Sequence, residues 1–308
     1  MRIAAMAAGA VGGYFGARMA AAGHDVFFIA RGANLAAIKK NGLKIESVHG
    51  DVHLAKPNVN DDPGSVGPVD IVLFAVKLWD TEKAAELAKP LVAPHTRVIT
   101  LQNGIDSVER IAPILGAEQT VGGAAYIATT IATPGVIKQT SSFAKMRFGR
   151  ADKFADEKLQ AFVDAGKAAK IDLDISADIT RELWEKFCFL TAMAGATASL
   201  RSTIGPIVAD PELRDFFRKL MEEAFAIGKA KGVALDPAYL EERMDFVTSK
   251  VEHAMKASMA HDLERGNRLE LDWLNGKVRA LGRALNIPTP ASDTVYTVLK
   301  LYRMGSPR

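Results

Sequence analysis

Apolar positions are arranged differently in the two halves of the chain. In the first half they come as short continuous runs: residues 3–8, residues 26–29 (Val26, Phe27, Phe28, Ile29), residues 69–76 between Pro68 and Lys77, and residues 97–101 leading into Gln102-Asn103-Gly104. Runs of this length with so few polar interruptions are the mark of strands buried on both faces, as in parallel sheets. Between the first two runs, Gly9, Gly12, Gly13 and Gly16 punctuate a turn, and residues 18–22 read as helix. Strand, glycine turn, helix and strand in about thirty residues make a βαβ unit. A helix over 81–91, a strand pair at 136–139 and 145–148 around Pro134-Gly135, a helix over 154–169 and a strand at 171–174 follow. From about residue 177 the β pattern stops. Helical spacing then predicts helices over 179–197, 211–231, 237–257, 268–285 and, after Pro288 and Pro290, 292–302. Asp210-Pro211 and Asp236-Pro237 each place a capping acid before a proline suited to the first helical position.

This pattern predicts an α/β protein of two domains. Residues 1–176 form a Rossmann-type dinucleotide-binding domain and residues 177–308 an all-α domain. Such a pair places its ligands in the cleft between unlike halves. A length of 308 residues, about twice the usual size of one domain, agrees with the division.

Composition removes several classes. With 48% hydrophobic and 24% charged residues the chain is an ordinary globular protein rather than a disordered or coiled-coil one. The 39 Lys and Arg against 36 Asp and Glu leave a net charge of only +3, too little for a nucleic-acid partner. Cys188, the single cysteine, excludes an internal disulfide and a thiolate metal cluster. His49 and His53 lack convergent carboxylates, so no metal is expected. The uncharged run at residues 3–17 after Met1-Arg2 has the outline of a secretory signal, but it is shorter than the roughly 18 apolar residues a membrane span needs. The βαβ reading accounts for it better, and a cytoplasmic protein without a membrane partner is expected. No heptad seam is present, and a homodimer stays compatible with the sequence.

The glycine turn reads Ala7-Ala8-Gly9-Ala10-Val11-Gly12, one glycine short of the dinucleotide fingerprint G-x-G-x-x-G. Gly9 stands where the backbone must approach a pyrophosphate, and Gly12 where helix and strand pack closely. Ala7 replaces the first glycine and requires a negative φ there. The phosphates would rest on the N–H groups of the following helix N-terminus. NAD enzymes usually carry an acid about twenty residues further on for the ribose 2′-hydroxyl. Here Arg31 ends the second strand, and its guanidinium suits the 2′-phosphate of NADPH. Lys77 and Asn103 fall at strand C-terminal ends, the ligand edge of such sheets. In the helical half, Lys186 could donate a proton to a carbonyl oxygen if partial burial lowers its pKa.

In their order along the chain these residues carry a resemblance. The glycine turn, Ala75-Val76-Lys77, Gln102-Asn103-Gly104, Pro134-Gly135-Val136, Leu183-Trp184-Glu185-Lys186, Ser258-Met259, Glu270-Leu271-Asp272 and Asn275-Gly276 resemble the 2-dehydropantoate 2-reductase (ketopantoate reductase) family from Met1 to about Tyr302. The resemblance implies a second domain like the C-terminal domain of 6-phosphogluconate dehydrogenase, and NADPH-dependent reduction of a 2-keto acid to a 2-hydroxy acid. It implies Lys186 as proton donor to the ketone oxygen and Glu270 beside nicotinamide and substrate hydroxyl. Arg31 and Lys77 would hold the adenosine end. Asn103 would reach cofactor and substrate, Ser258 the substrate's polar groups, and the backbone near Ala128 the cofactor.

Two features test that assignment. On one straight helix Ser258 and Glu270 would lie ~18 Å apart, so the chain must break between them, with a helix end or loop across residues 259–267 and Gly266-Asn267 as the stop. The family's asparagines after the catalytic lysine are replaced by Leu190 and Ala194, and another before the serine by Met255. That substitution favours a more apolar 2-keto acid as the alternative substrate. A β-hydroxyacid dehydrogenase-like enzyme and a non-catalytic NADPH-binding sensor are the other readings.

Overall fold

The structure is a computed structural model that describes residues 1–306. Its chain divides into two compact units, Met1–Gln102 with Asp106–Ile179, and Asn103–Ile105 with the described residues from Thr180 onward. The first contains β1 (Arg2–Met6), α1 (Ala10–Ala21), β2 (Asp25–Ile29), α2 (Gly32–Asn41), β3 (Leu43–Glu46), β4 (Val52–Leu54), β5 (Asn58–Asn60), β6 (Ile71–Phe74), α3 (Thr81–Ala88), β7 (Arg97–Thr100), α4 (Ser107–Leu115), β8 (Thr120–Thr133), β9 (Val136–Gly149), α5 (Glu157–Ala168) and β10 (Asp172–Ile175). The second contains α6 (Ile179–Ser199), α7 (Ile204–Ala209), α8 (Pro211–Ala230), α9 (Tyr239–Ser249), α10 (Ser258–Glu264), α11 (Asn275–Leu285) and α12 (Pro290–Leu299).

One sheet runs β4-β3-β9-β8-β7-β6-β1-β2-β5, with β10 added beside β9. Strands β2, β1, β6, β7 and β8 are mutually parallel where they pair. Their apolar runs have a visible reason. Ile3, Ala5, Ile71 and Leu73 belong to the core on one face, whereas Ala4, Met6, Val72 and Phe74 belong to the core on the other. Alternate residues of these two segments therefore enter different cores, and no position between Ile3 and Met6 or between Ile71 and Phe74 is left for a polar side chain.

The β-hairpin corrects the reading from sequence. Residues 136–139 and 145–148 are not two strands but parts of β9, whose antiparallel partner is β8 across Pro134-Gly135. Within β8, the stretch Gly122, Gly123, Ala124 and Ala125 has little intrinsic β propensity, and pairing with the neighbouring strands is what makes it part of a strand. Two helices are shorter than their patterns suggest. Asp236 accepts a bond from the Ala238 N–H at 2.9 Å, but the helix begins only at Tyr239 and ends at Ser249. Residues 268–274 are not part of α11.

The second unit packs its helices around Trp184, Phe187, Phe217, Leu220 and Met221. Asp210 caps α8 as expected, accepting from the N–H groups of Glu212 and Leu213. The cap of α12 comes from far along the chain: the Glu223 carboxylate on α8 accepts from Ala291 N–H at 2.7 Å and Ser292 N–H at 2.9 Å. Burial pushes the Glu223 carboxyl above its ordinary pKa against the pull of these donors. Glu223→Ala would strand two buried N–H groups, and we expect a loss of about 2–3 kcal/mol in urea denaturation, while Glu223→Gln retains part of the cap.

Candidate active site

Three of the expected cofactor-binding segments leave the sheet along one edge. Met6 pairs with Ile29 and with Phe74 in parallel register. The turn after β1, Arg31 after β2 and Lys77 after β6 therefore all lie beyond strand C-termini. Strand order reverses at β1 and β6, the switch point where open α/β sheets receive ligands. Gly9 is the N-cap of α1, and no side chain caps that helix. A Cβ on Gly9 would meet nothing within 4 Å, so space remains over the first N–H groups of the helix. Gly12 is the opposite case: a Cβ there would collide with the Ala7 carbonyl oxygen and come within 3.2 Å of the Ala75 Cβ. Ala7 is absent from the residues with positive φ, which meets the condition for an alanine at that position. The Ala8 backbone is engaged, donating to Ile29 O at 2.7 Å and accepting from the Asn34 amide at 2.9 Å. The N–H groups of Gly9, Ala10, Val11 and Gly12 follow at the start of α1. An uncapped helix N-terminus with open space above it and no acid in its first turn fits a dinucleotide pyrophosphate. Arg31 is exposed and Lys77 lies over the Trp79 ring at 5.5 Å.

Ala128 sits at the irregularity of register between Ile127 and Thr129 in the hairpin. Its N–H donates to Ser141 Oγ at 3.0 Å, and its carbonyl accepts from Thr140 Oγ1 at 3.3 Å. A cofactor contact at Ala128 is thus restricted to the second lone pair of the carbonyl.

In the second unit, Lys186 is half-buried on α6. Desolvation lowers its pKa to about 8, although the negative charges of Glu270 and Glu182 oppose the shift. Glu270 is itself buried. Glu182 precedes Lys186 by four residues on the same helix face, a spacing visible in sequence but not singled out there. Asn103 groups with this unit, three residues after β7 ends.

The break required between Ser258 and Glu270 is present. Helix α10 ends in a Schellman motif: Gly266 has φ +68°, its N–H bonds to Leu263 O at 3.1 Å, and Asn267 N–H bonds to Asp262 O at 2.8 Å. Ser258 opens α10 and is exposed. The preceding segment is tied down by bonds from Ile204 N–H to Met255 O and from Ala257 N–H to Thr197 Oγ1. Glu270 follows the stop on a non-helical turn. Leu190 is half-buried and Ala194 buried, one and two turns beyond Lys186 on α6. Cys188 is fully buried, and burial pushes its thiol pKa far up, which leaves it a packing residue. Among the described residues no group of His, Cys, Asp or Glu could hold a metal ion, and no helix is long and apolar enough to cross a membrane.

A Rossmann-type sheet with an open glycine turn at its switch point, joined in one chain to a helical unit bearing a desolvated lysine, defines a nicotinamide-dinucleotide-dependent oxidoreductase. The chain belongs to the ketopantoate reductase family: the models "Ketopantoate reductase PanE/ApbA" and "Ketopantoate reductase PanE/ApbA C terminal" match residues 3–153 and 178–303. It is 32% identical to the uncharacterized oxidoreductase YkpB of Bacillus subtilis, over 98% of this chain and 99% of that protein. It is also 32% identical to a 2-dehydropantoate 2-reductase of Mesorhizobium japonicum, over 97% of each. A crystal structure of a PanE/ApbA family ketopantoate reductase from Ralstonia eutropha superimposes with a TM-score of 0.89 at 30% identity, covering 98% of both chains.

The two glycines of the turn separate packing from binding. Gly12→Ala should destabilise the protein by about 1–3 kcal/mol through the clash with a backbone carbonyl. Gly9→Ala should leave the melting temperature unchanged and raise the Kd for the dinucleotide, read by fluorescence titration. A stability loss in Gly9→Ala, or none in Gly12→Ala, would contradict these assignments.

Proposed function

We propose that this protein reduces a 2-keto acid to a 2-hydroxy acid with NADPH, and that Lys186 supplies the proton. The observation that carries this reading is the lysine whose burial brings its pKa down to about 8, with the Glu270 carboxylate near it. When bound, the reduced nicotinamide supplies the hydride that adds to the carbonyl carbon. Lys186, as ammonium, donates from Nζ to the carbonyl oxygen as that bond forms, and takes a proton back from solvent afterwards. A pKa near the working pH serves this step, because the group is both charged and willing to release its proton. Glu270 keeps a fraction of the lysine protonated despite desolvation. Gly9, Ala10, Val11 and Gly12 receive the pyrophosphate, Lys77 supports the adenosine end, and Arg31 selects the 2′-phosphate. Asn103 and Ser258 orient cofactor and substrate.

The name of the Mesorhizobium relative supports 2-dehydropantoate as substrate. A second reading, a 2-keto acid with a more apolar side chain, is favoured by Leu190 and Ala194, which place no amide on the Lys186 face of α6. One missing hydrogen bond to a substrate hydroxyl costs ~1–3 kcal/mol, or about 10–200-fold in kcat/KM. A panel of 2-keto acids with and without a side-chain hydroxyl therefore decides between the two.

Lys186→Ala should lower kcat about 10²–10⁴-fold with little change in dinucleotide affinity. Turnover by the wild type on no 2-keto acid, with tight NADPH binding, would instead indicate a sensor. The sign of the pH effect follows from the lysine. Reduction needs the ammonium, so kcat should fall as pH rises through about 8, and oxidation of the hydroxy acid, which needs the free amine, should rise over the same range. Arg31→Ala should raise the KM for NADPH roughly 10–100-fold, as expected for lost charge-assisted bonds, and leave that for NADH nearly constant. Equal rates of the wild type with both cofactors would refute the role given to Arg31.

A further inference from the structure

Asn275 is fully buried at the first turn of α11, and the sequence offers it no obvious task there. Its Nδ2 donates to the main-chain carbonyl of Thr191 on α6 at 3.2 Å. A helix-interior carbonyl has a second lone pair free for such a bond. The approach is possible because residue 195, one turn further along α6, is glycine. A Cβ there would stand 2.8 Å from Asn275 Nδ2 and 3.1 Å from its Oδ1. The Oδ1 itself is buried without a hydrogen-bond partner. An apolar residue of the same shape would escape that penalty, so filling space does not explain an amide at this place.

What the amide joins is specific. Upstream of Asn275 the chain is a tight turn, with Trp273 N–H and Leu274 N–H both 3.1 Å from Glu270 O, and Gly276 N–H 2.8 Å from Leu271 O. These bonds tie the segment from Glu270 to Asn275 into one closed turn. On the other side, Thr191 stands five residues beyond Lys186 in the same helix. The geometry points to Asn275, seated by Gly195, as the positioning residue that fixes the turn bearing Glu270 to the helix bearing Lys186. The carboxylates acting on Lys186 are then Glu182, held by α6 itself, and Glu270, held by this tie. Glu185, also on α6, is paired with Arg181 at 2.6 Å. Only the Glu270 contribution depends on Asn275.

The inference rests on the reading of Lys186 as proton donor for its catalytic consequence, but not for its test. Two variants break the tie from opposite sides: Asn275→Leu removes the donor, and Gly195→Ala keeps the amide but displaces it. The Lys186 titration is read directly, by ¹³C NMR of the reductively methylated protein, with the resonance assigned through Lys186→Arg. Both variants should lower the Lys186 pKa by about half to one pH unit, the effect of drawing a carboxylate away from an ammonium. The alkaline limb of kcat should move with it, with the KM for the keto acid little changed. In a Glu270→Gln background neither variant should move the titration further, since the charge they misplace is gone. An unmoved titration in the Glu270 protein, or an equal shift in the Glu270→Gln protein, overturns the inference. If Asn275→Leu does not fold, Gly195→Ala decides alone, and unchanged titration there is equally fatal. Failure of the proton-donor reading looks different, as full turnover in Lys186→Ala.

Discussion

An ammonium group withdrawn from water keeps its proton only as far as nearby negative charge compensates the lost hydration. In the second unit that balance is struck at Lys186, where desolvation outweighs Glu182 and Glu270 and leaves the pKa at about 8. Much of the surrounding structure follows from keeping the balance fixed. Glu182 needs no special device, because an α-helix places residues four apart on one face. Glu270 does, because it belongs to a turn outside any helix, and its position depends on what holds that turn.

Several contacts hold it. The Schellman stop at Gly266 ends α10 and turns the chain. Beyond it, Leu269 N–H bonds to Arg303 O at 3.0 Å, and Asp272 receives the Tyr296 hydroxyl at 2.9 Å and lies 3.7 Å from the Arg303 guanidinium. The C-terminal stretch thus braces one side of the turn while Asn275 fastens the other to α6. Glu223, on α8, secures the start of α12 and with it the brace. In the first unit the governing requirement is different. A phosphate needs unpaired N–H groups and nothing in front of them, and the same turn supplies both: Gly12 lets α1 sit close on β1, and Gly9 keeps the approach open.

The fold was legible where burial is decided by the segment itself. Strands β1, β2, β6 and β7 are apolar over most of their length because both of their faces meet a core, and the long helices α6 and α8 carry their own apolar stripes. The start of strand β8 was not legible, since Gly122, Gly123, Ala124 and Ala125 become strand only through pairing with β7 and β9. The overlong helices at 237–257 and 268–285 share a cause: helical spacing continues past the point where backbone bonds turn elsewhere. Glu270-Leu271-Asp272 and Trp273 fit a helix pattern, yet their bonds close a turn instead.

The site divides along the same line. From the residues alone came the glycine turn and the absence of an acid after β2; the resemblance brought the roles expected of Lys186 and Glu270 and, with Gly266-Asn267 as the obvious stop, the need for a break between Ser258 and Glu270. These are local signals, set by what one short segment can or cannot do sterically and electrostatically. The extent to which burial depresses Lys186, the occupation of the Ala128 backbone by its hairpin partners, and the seating of Asn275 on Gly195 were decided only by tertiary structure. Desolvation and close approach depend on which distant segments are brought together, and no single stretch of sequence contains that information.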